Sequence, residues 1–305
     1  MHSLHYGRGP KNNRCCHNRW QRKQVSGGSD LNHQVNSKLT RAQISLGGPV
    51  SYGSYAVKTR MEKIDETLDL RGKRVLDLGC GNGCYTQELA CRAAYVCGID
   101  IQMSHLKAFR QPIERIQAAG ENLPLRSDSF DVVTMIEVLE HTRSDEQTLE
   151  ECFRVLKPGG LLVLFVPNKL YPFESHPCHI SSLQVGPNIP LISWLPESLH
   201  KRLCYARIYT RRNLLAMTNR AGFQTKTIGY IFPPLDSLHL PFKQTYRKAV
   251  RWFGNSPLSV FGVSIYAVFQ KPRVLKEEIQ PVRPTADWHP DLADEKQATS
   301  YASAV

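Results

Sequence analysis

The chain has 305 residues, which suits one α/β domain of ordinary size with tails, and its 41% apolar content is enough for a core. No run of about 18 apolar residues occurs, so no helix is expected to span a bilayer. The net charge of +12 is a basic excess able to attract nucleic acid, an anionic membrane surface or an acidic substrate. The amino terminus lacks the apolar core of a signal peptide. Nine cysteines are present, and Cys80, Cys84, Cys91 and Cys97 do not have zinc-site spacing. They read as small core residues, with reduced thiols in a cytosol-like compartment the simplest account. A cytoplasmic location is therefore expected, with membrane association left open.

Residues 1–48 read as a disordered basic tail, because Arg8, Lys11, Arg14, Arg19, Arg22 and Lys23 all precede the first acid, Asp30. The alternative is an organelle transit peptide, although no amphipathic helical period accompanies the arginines. A domain is expected over 49–272. It opens on a helix from Val57 to Leu70, ended by Gly72, and Tyr52 or Tyr55 just ahead of it would cover a cofactor.

The pivotal stretch is Val75-Leu76-Asp77-Leu78-Gly79-Cys80-Gly81-Asn82-Gly83. A short buried strand carries one acid and then turns through alternate glycines into a helix continuing over Thr86 to Arg92. Glycines there accept backbone angles forbidden to other residues and let a ligand touch the main chain. The spacing is not the G-x-G-x-x-G of a dinucleotide site, and no Gly-Lys-Ser/Thr of a phosphate loop follows. Asp77 would need a partner in a buried position. A second strand, Tyr95 to Ile99, ends in Asp100, where a carboxylate can accept hydrogen bonds from the two hydroxyls of a ribose. The alternative for Asp100 is a cap for a helix near Ser104.

A third strand is expected over Ile116 to Ala119 and a fourth over Val132 to Ile136, the latter ending in Glu137-Val138-Leu139-Glu140-His141. Ser144 with Gln147 reads as a capping box. The helix it starts would bury Leu149, Cys152, Phe153 and Leu156, and Lys157-Pro158-Gly159-Gly160 would stop it. Leu161 to Val166 is an apolar fifth strand. Strands alternating with helices at short intervals predict an α/β fold with a doubly wound, mostly parallel sheet covered on both faces. Thr225 to Ile231 and Gly262 to Phe269 bring the sheet to seven strands, the last one read as antiparallel. Ligands of such sheets bind beyond the carboxyl ends of the strands, where Asp77, Asp100, Glu137 and Asn168 fall. A proline-rich insertion after the fifth strand, at about 170–205, reads as a structureless lid. Residues 242–253 read as a basic amphipathic helix packing on its own domain or touching a membrane surface. Residues 273–305 read as a disordered tail.

The glycine motif, Asp100, Leu123-Pro124 with Ser129-Phe130-Asp131, Glu137 to His141, and Arg154 to Gly160 together resemble the core of class I S-adenosylmethionine-dependent methyltransferases of the type 11 kind. The resemblance implies S-adenosylmethionine as cofactor. Asp77, Gly79, Cys80, Gly81 and Gly83 would lie at its methionine and ribose end, and Asp100 and Ile101 beside the ribose. Glu121 and Asn122 would border adenine, and Glu137 the methyl end. The family usually has an acid where Ala119 stands. For catalysis His141, Glu137 and His176 are the candidates, with a histidine as the base for an oxygen acceptor. No metal is expected. The set that would hold one is Glu137, Glu140 and His141, which resembles the ligands of ubiquinone-pathway O-methyltransferases and of small-RNA 2′-O-methyltransferases, with His179 or His176 as the later histidine that the RNA family adds. The expected activity is O-methylation of a small or lipid-like acceptor. The alternatives are a metal-dependent RNA 2′-O-methyltransferase, or a protein that binds the cofactor without turnover. Basic charge spread over tails and one helix argues against nucleic acid.

Overall fold

A computed structural model of the protein describes residues 54–109, 112–180, 183–186, 188–232 and 256–273. The readings for the basic tail, for Tyr52, for the 242–253 helix and for the chain beyond Arg273 fall outside these residues, as do the side chains of Tyr55 and His179. The chain divides after Arg273, and every described residue belongs to the first unit.

The elements in chain order are α1 (Ser54–Thr67), β1 (Arg74–Leu78), α2 (Cys84–Ala90), β2 (Tyr95–Asp100), α3 (Met103–Lys107), β3 (Glu114–Gln117) and β4 (Phe130–Ile136). A 3₁₀ turn (Leu139–His141), α4 (Asp145–Val155) and β5 (Leu156–Pro167) follow. The seven-stranded sheet is completed by β10 (Gln224–Ile231) and β11 (Ser264–Gln270), with α6 (Arg211–Arg220) ahead of them. Its order is β10-β11-β5-β4-β1-β2-β3. The pairs from β5 to β3 are parallel, and β11 runs antiparallel to both of its neighbours.

Side-chain alternation explains how one sheet carries two cores. Leu76, Leu78, Leu162 and Leu164 face α4 and α6 through Leu149, Cys152 and Leu214. Val75, Val163 and Phe165 face the other way, onto Val57, Met61 and Ile64 of α1 and Leu89 of α2. Asp77 shares the face of Val75, so its side chain points toward α2. The Ser144 hydroxyl accepts from the Gln147 amide, capping α4 as its sequence predicts.

The stretch after β5 differs from the expected structureless lid. It is an ordered insert with two small antiparallel pairs, β6 (Phe173–Glu174) with β9 (Ile189–Pro190) and β7 (Cys178–Ile180) with β8 (Leu183–Val185). A 3₁₀ turn (Ile192–Trp194) and α5 (Glu197–Leu203) complete it. These pairings give the backbone polar groups partners that no larger sheet supplies. A Cys178–Cys204 disulfide staples β7 to the end of α5, which departs from the reading of the cysteines as reduced thiols. The insert closes on itself at its base: the Tyr209 amide donates to Pro167 O (3.0 Å) and the Lys169 amide to Tyr209 O (2.8 Å). Among the described residues, no helix is long and apolar enough to cross a membrane.

Candidate active site

The hollow lies beyond the carboxyl ends of β1, β2 and β4. Gly79, Cys80, Gly81, Asp100, Ile101 and Glu121 line it, together with Glu137, Val138 and His141. The loop over it is held by main-chain bonds from Gly79 N (2.7 Å) and Cys80 N (2.9 Å) to Ile99 O. Gly79 has φ 75°, and a Cβ there would come within 2.3 Å of Val138. At Gly83, φ is 89° and a Cβ would meet the Phe109 ring at 2.7 Å. Both glycines therefore serve tight packing of the loop as well as its turn.

Asp100 faces the hollow. Its Oδ2 accepts from the Gly81 amide (2.9 Å), and its Oδ1 accepts from the Gln102 amide (2.8 Å) and lies 3.2 Å from His105 Nδ1. Burial pushes this acid up, but His105 and the two amides outweigh it and hold the carboxyl below its usual value. A carboxylate accepts about four hydrogen bonds, so Oδ2 retains capacity for a ligand hydroxyl.

Asp77 is placed elsewhere than beside a ligand. It is buried beneath the loop, where Oδ2 accepts from the Thr86 hydroxyl (2.7 Å) and Oδ1 from the Thr134 hydroxyl (2.9 Å). Burial first, with some help from the Asp100 charge, pushes its carboxyl up to about 6 against the two hydroxyls. Only one of the two expected acids thus lines the hollow, and Asp77 ties β1 to β4 and α2 below it. Glu121 lines the hollow with its carboxylate turned to α4, accepting from the amides of Arg143 (2.5 Å) and Ser144 (3.2 Å). The Asn122 amide donates to Ala119 O (3.2 Å). Asn168 is a tie as well, its side-chain amide donating to Val260 O (2.8 Å) and Gly262 O (2.7 Å).

The hollow is also lined by Glu137, whose φ of 56° lies in the left-handed region that costs a non-glycine residue about 1–3 kcal/mol. Its Oε1 accepts from Arg60 Nη2 of α1 (2.7 Å) and from the Ser264 hydroxyl of β11. Burial raises this acid, and Arg60 and Ser264 more than reverse that, keeping Glu137 ionised. Glu137 is thereby held by a cation rather than grouped with Glu140 and His141 as an ion ligand.

The 3₁₀ turn then presents Glu140 and His141. Glu140 is 1% exposed, and neither of its oxygens accepts a hydrogen bond. Burial, then the neighbouring Glu137 charge, push it well above the usual carboxylate range. His141 Nε2 and His176 Nε2 each lie 3.8 Å from Glu140 Oε1, and the two rings stand edge to face at 5.3 Å. His176 comes from the insert, 35 residues on in sequence. Arg207 Nη2 fastens the turn by donating to Leu139 O (2.9 Å) and to the Thr142 hydroxyl (3.0 Å). The structure thus brings His141 and His176 together with Glu140.

Arg60, Ser264, His105, Thr86 and Thr134 are absent from the sequence-derived list. Arg60 had a readable signal, since it falls on the stripe of Val57, Met61 and Ile64, where a cation requires a buried partner.

A family profile described as a methyltransferase domain matches residues 76–164. A ubiquinone biosynthesis O-methyltransferase of Pseudomonas putida is 32% identical over 188 residues, covering 58% of this chain and 75% of that protein. The protein of the same name from Dechloromonas aromatica is 29% identical over 198 residues, covering 61% and 80%. The fold is shared with a solved S-adenosylmethionine-dependent methyltransferase of Thermotoga maritima, at a TM-score of 0.50 and 18% identity over 72% of this chain and 90% of that one. On its methyltransferase domain and these relatives, the chain belongs to the class I S-adenosylmethionine-dependent methyltransferases.

Proposed function

We propose that the protein methylates an oxygen of a small or lipid-like hydroxyl compound, and that His141 and His176 take the hydroxyl proton. The observation that carries this reading is the imidazole pair around buried Glu140, one of whose rings, His141, lines the same hollow as Asp100. S-adenosylmethionine, when bound, supplies a methyl group already activated on a sulfonium. Asp100 and the main chain at Gly79 and Gly81 would hold its ribose and methionine portions, while Cys80, Ile101 and the Glu121–Asn122 stretch would border the remainder. The protein's own task is then orientation and proton removal. A hydroxyl is a poor nucleophile while protonated, and a neutral imidazole nitrogen is the side-chain acceptor suited to neutral pH. The relatives named for ubiquinone biosynthesis support an oxygen acceptor.

A second reading has an observation of its own. Glu140, His141 and His176 offer donor atoms within 4.8 Å of one another, and the Glu140 carboxyl accepts no hydrogen bond. A divalent cation there would lower the acceptor's own pKa instead. It would take His176, one of the two later histidines the sequence offers, and would leave Glu137 with Arg60.

The test is an acceptor screen over phenols, aliphatic alcohols, amines and a short RNA, following S-adenosylhomocysteine formation with and without a chelator. Hydroxyl compounds are expected to turn over. His141→Ala and His176→Ala should each slow turnover by about 10²–10⁴-fold while calorimetry finds unchanged affinity for S-adenosylmethionine. Turnover confined to amines or RNA would overturn the proposal, as would full activity in both variants. Loss of activity on chelation would favour the cation over the free base.

A further inference from the structure

Glu174 is fully buried in an insert whose described residues include few buried apolar side chains. A buried carboxylate is costly unless its oxygens are met by donors, and here both are. Oε2 lies 2.7 Å from His200 Nε2 and accepts from the Ser193 hydroxyl at 3.3 Å. Oε1 accepts from the His176 backbone amide at 3.0 Å and lies 3.3 Å from His176 Nδ1. The same residue therefore grips His176 by its main chain and by its ring.

We propose that Glu174 is a positioning residue for His176, fixing the proton on Nδ1 and so presenting Nε2, as the ring's lone-pair nitrogen, to Glu140 and the acceptor side of the hollow. The proposal rests on the reading that His176 works at that site. An ionised carboxylate only accepts, so a neutral imidazole facing it must donate from the facing nitrogen, and its other nitrogen then carries the lone pair. Nε2 is the atom that lies 3.8 Å from Glu140 Oε1. The acceptor's O–H bond breaks toward Nε2, its electron pair stays on oxygen, and the charge gained by the ring faces Glu174. The same orientation serves a cation-binding histidine, whose second nitrogen is commonly held by a carboxylate.

The surroundings leave Glu174 as the group that sets the ring. Among the described residues, the charged or titratable groups toward His176 besides Glu174 are Glu140 and His141 of the 3₁₀ turn, Glu137 with Arg60 behind it, and Arg207 behind Glu140. None of these is placed at Nδ1. The Ser175 hydroxyl lies 3.2 Å from Nδ1 but can either donate or accept, so it fixes no tautomer. The strand carrying Glu174 is two residues long, and the insert is pinned by the Cys178–Cys204 disulfide and by the bonds of Tyr209. Those anchors bring His176 near the hollow, and the carboxylate decides which nitrogen faces it.

The tautomer can be read without any acceptor. In protein labelled with ¹⁵N-histidine, long-range ¹H–¹⁵N correlations above pH 8 should show His176 as the Nδ1–H form. Glu174→Gln can present either an acceptor or a donor to Nδ1, and should convert His176 to a mixture or to the Nε2–H form. Glu174→Asp should restore part of the Nδ1–H population. With the best hydroxyl acceptor from the screen, Glu174→Gln should lower turnover by about 10–100-fold at unchanged affinity for S-adenosylmethionine. An Nε2–H form in the unaltered protein, or the same tautomer in Glu174→Gln, would overturn the proposal. If Glu174→Gln does not fold, the tautomer of the unaltered protein alone decides. A fully active His176→Ala would instead refute the functional reading and leave the tautomer result standing.

Discussion

Asp77 under the glycine loop and Glu174 in the insert are both buried carboxylates, yet they end on opposite sides of the ordinary value. Burial pushes each of them up. Asp77 meets two neutral hydroxyls and the nearby charge of Asp100, and stands at about 6. Glu174 meets His176, His200 and a backbone amide, and falls to about 2 despite its burial. Removal from water sets a similar demand in both places, and the strength of the donors decides the outcome. The difference matches the two regions. The loop rests on a sheet packed on both faces and tolerates an acid whose carboxyl burial pushes up. The insert leans on a charged network and a covalent staple.

The largest effect that would test this contrast is Glu174→Ala. It strands His200 Nε2, the Ser193 hydroxyl and the His176 amide without their acceptor, and should cost about 3–5 kcal/mol in urea unfolding at pH 7. A cost under 1 kcal/mol would show that the network does not hold the insert. Next comes the staple. Replacing Cys178 and Cys204 together by Ser should cost about 2–4 kcal/mol. Amide exchange should then accelerate within 170–205 while β1, β4 and β5 stay protected; uniform acceleration across the sheet would erase the distinction between the regions.

The smallest effect has the opposite sign. The folded Asp77 carboxyl titrates near 6 against an ordinary value of 3.8, so between those values the folded state holds more proton than the unfolded one. Stability from this group is therefore lost as pH rises from about 4 to about 6, by roughly 2–3 kcal/mol. Asp77→Asn should remove that slope and raise stability at pH 7 by about 1–3 kcal/mol. Glu174 runs the other way: its contribution is present above its ordinary value near 4.5 and is lost as pH falls toward about 2. Chemical denaturation of Asp77→Asn at pH 4.5 and 7 measures the first slope, and an unchanged slope would mean that Asp77 is ionised at both.

The legible parts of the fold are those written in neighbouring residues. Apolar alternation shows the strands, the Ser144–Gln147 spacing shows the start of α4, and Asp100 stands at the tip of β2 as its position after Tyr95 to Ile99 predicts. The partners of the acids were not legible. Thr134 lies 57 residues from Asp77, and Arg60 lies 77 from Glu137, and no periodicity encodes such pairings. Proline and short polar runs in the insert read as structureless, because two-residue strands and a disulfide leave no repeating pattern. His141 and His176 were readable as residue types, while their meeting around Glu140 depends on how the insert folds back.

Glu137 is clamped by a residue near the start of the described chain and by one near its end, Arg60 and Ser264, which also touch each other at 3.3 Å. A ribosome delivers these two partners far apart in time. While β11 is still in the exit tunnel, Glu137 has only half of its clamp, although β1 to β5 are already outside and able to pair. Premature termination before Ser264 would thus yield a chain with β1 to β5 in place and Glu137 held by Arg60 alone.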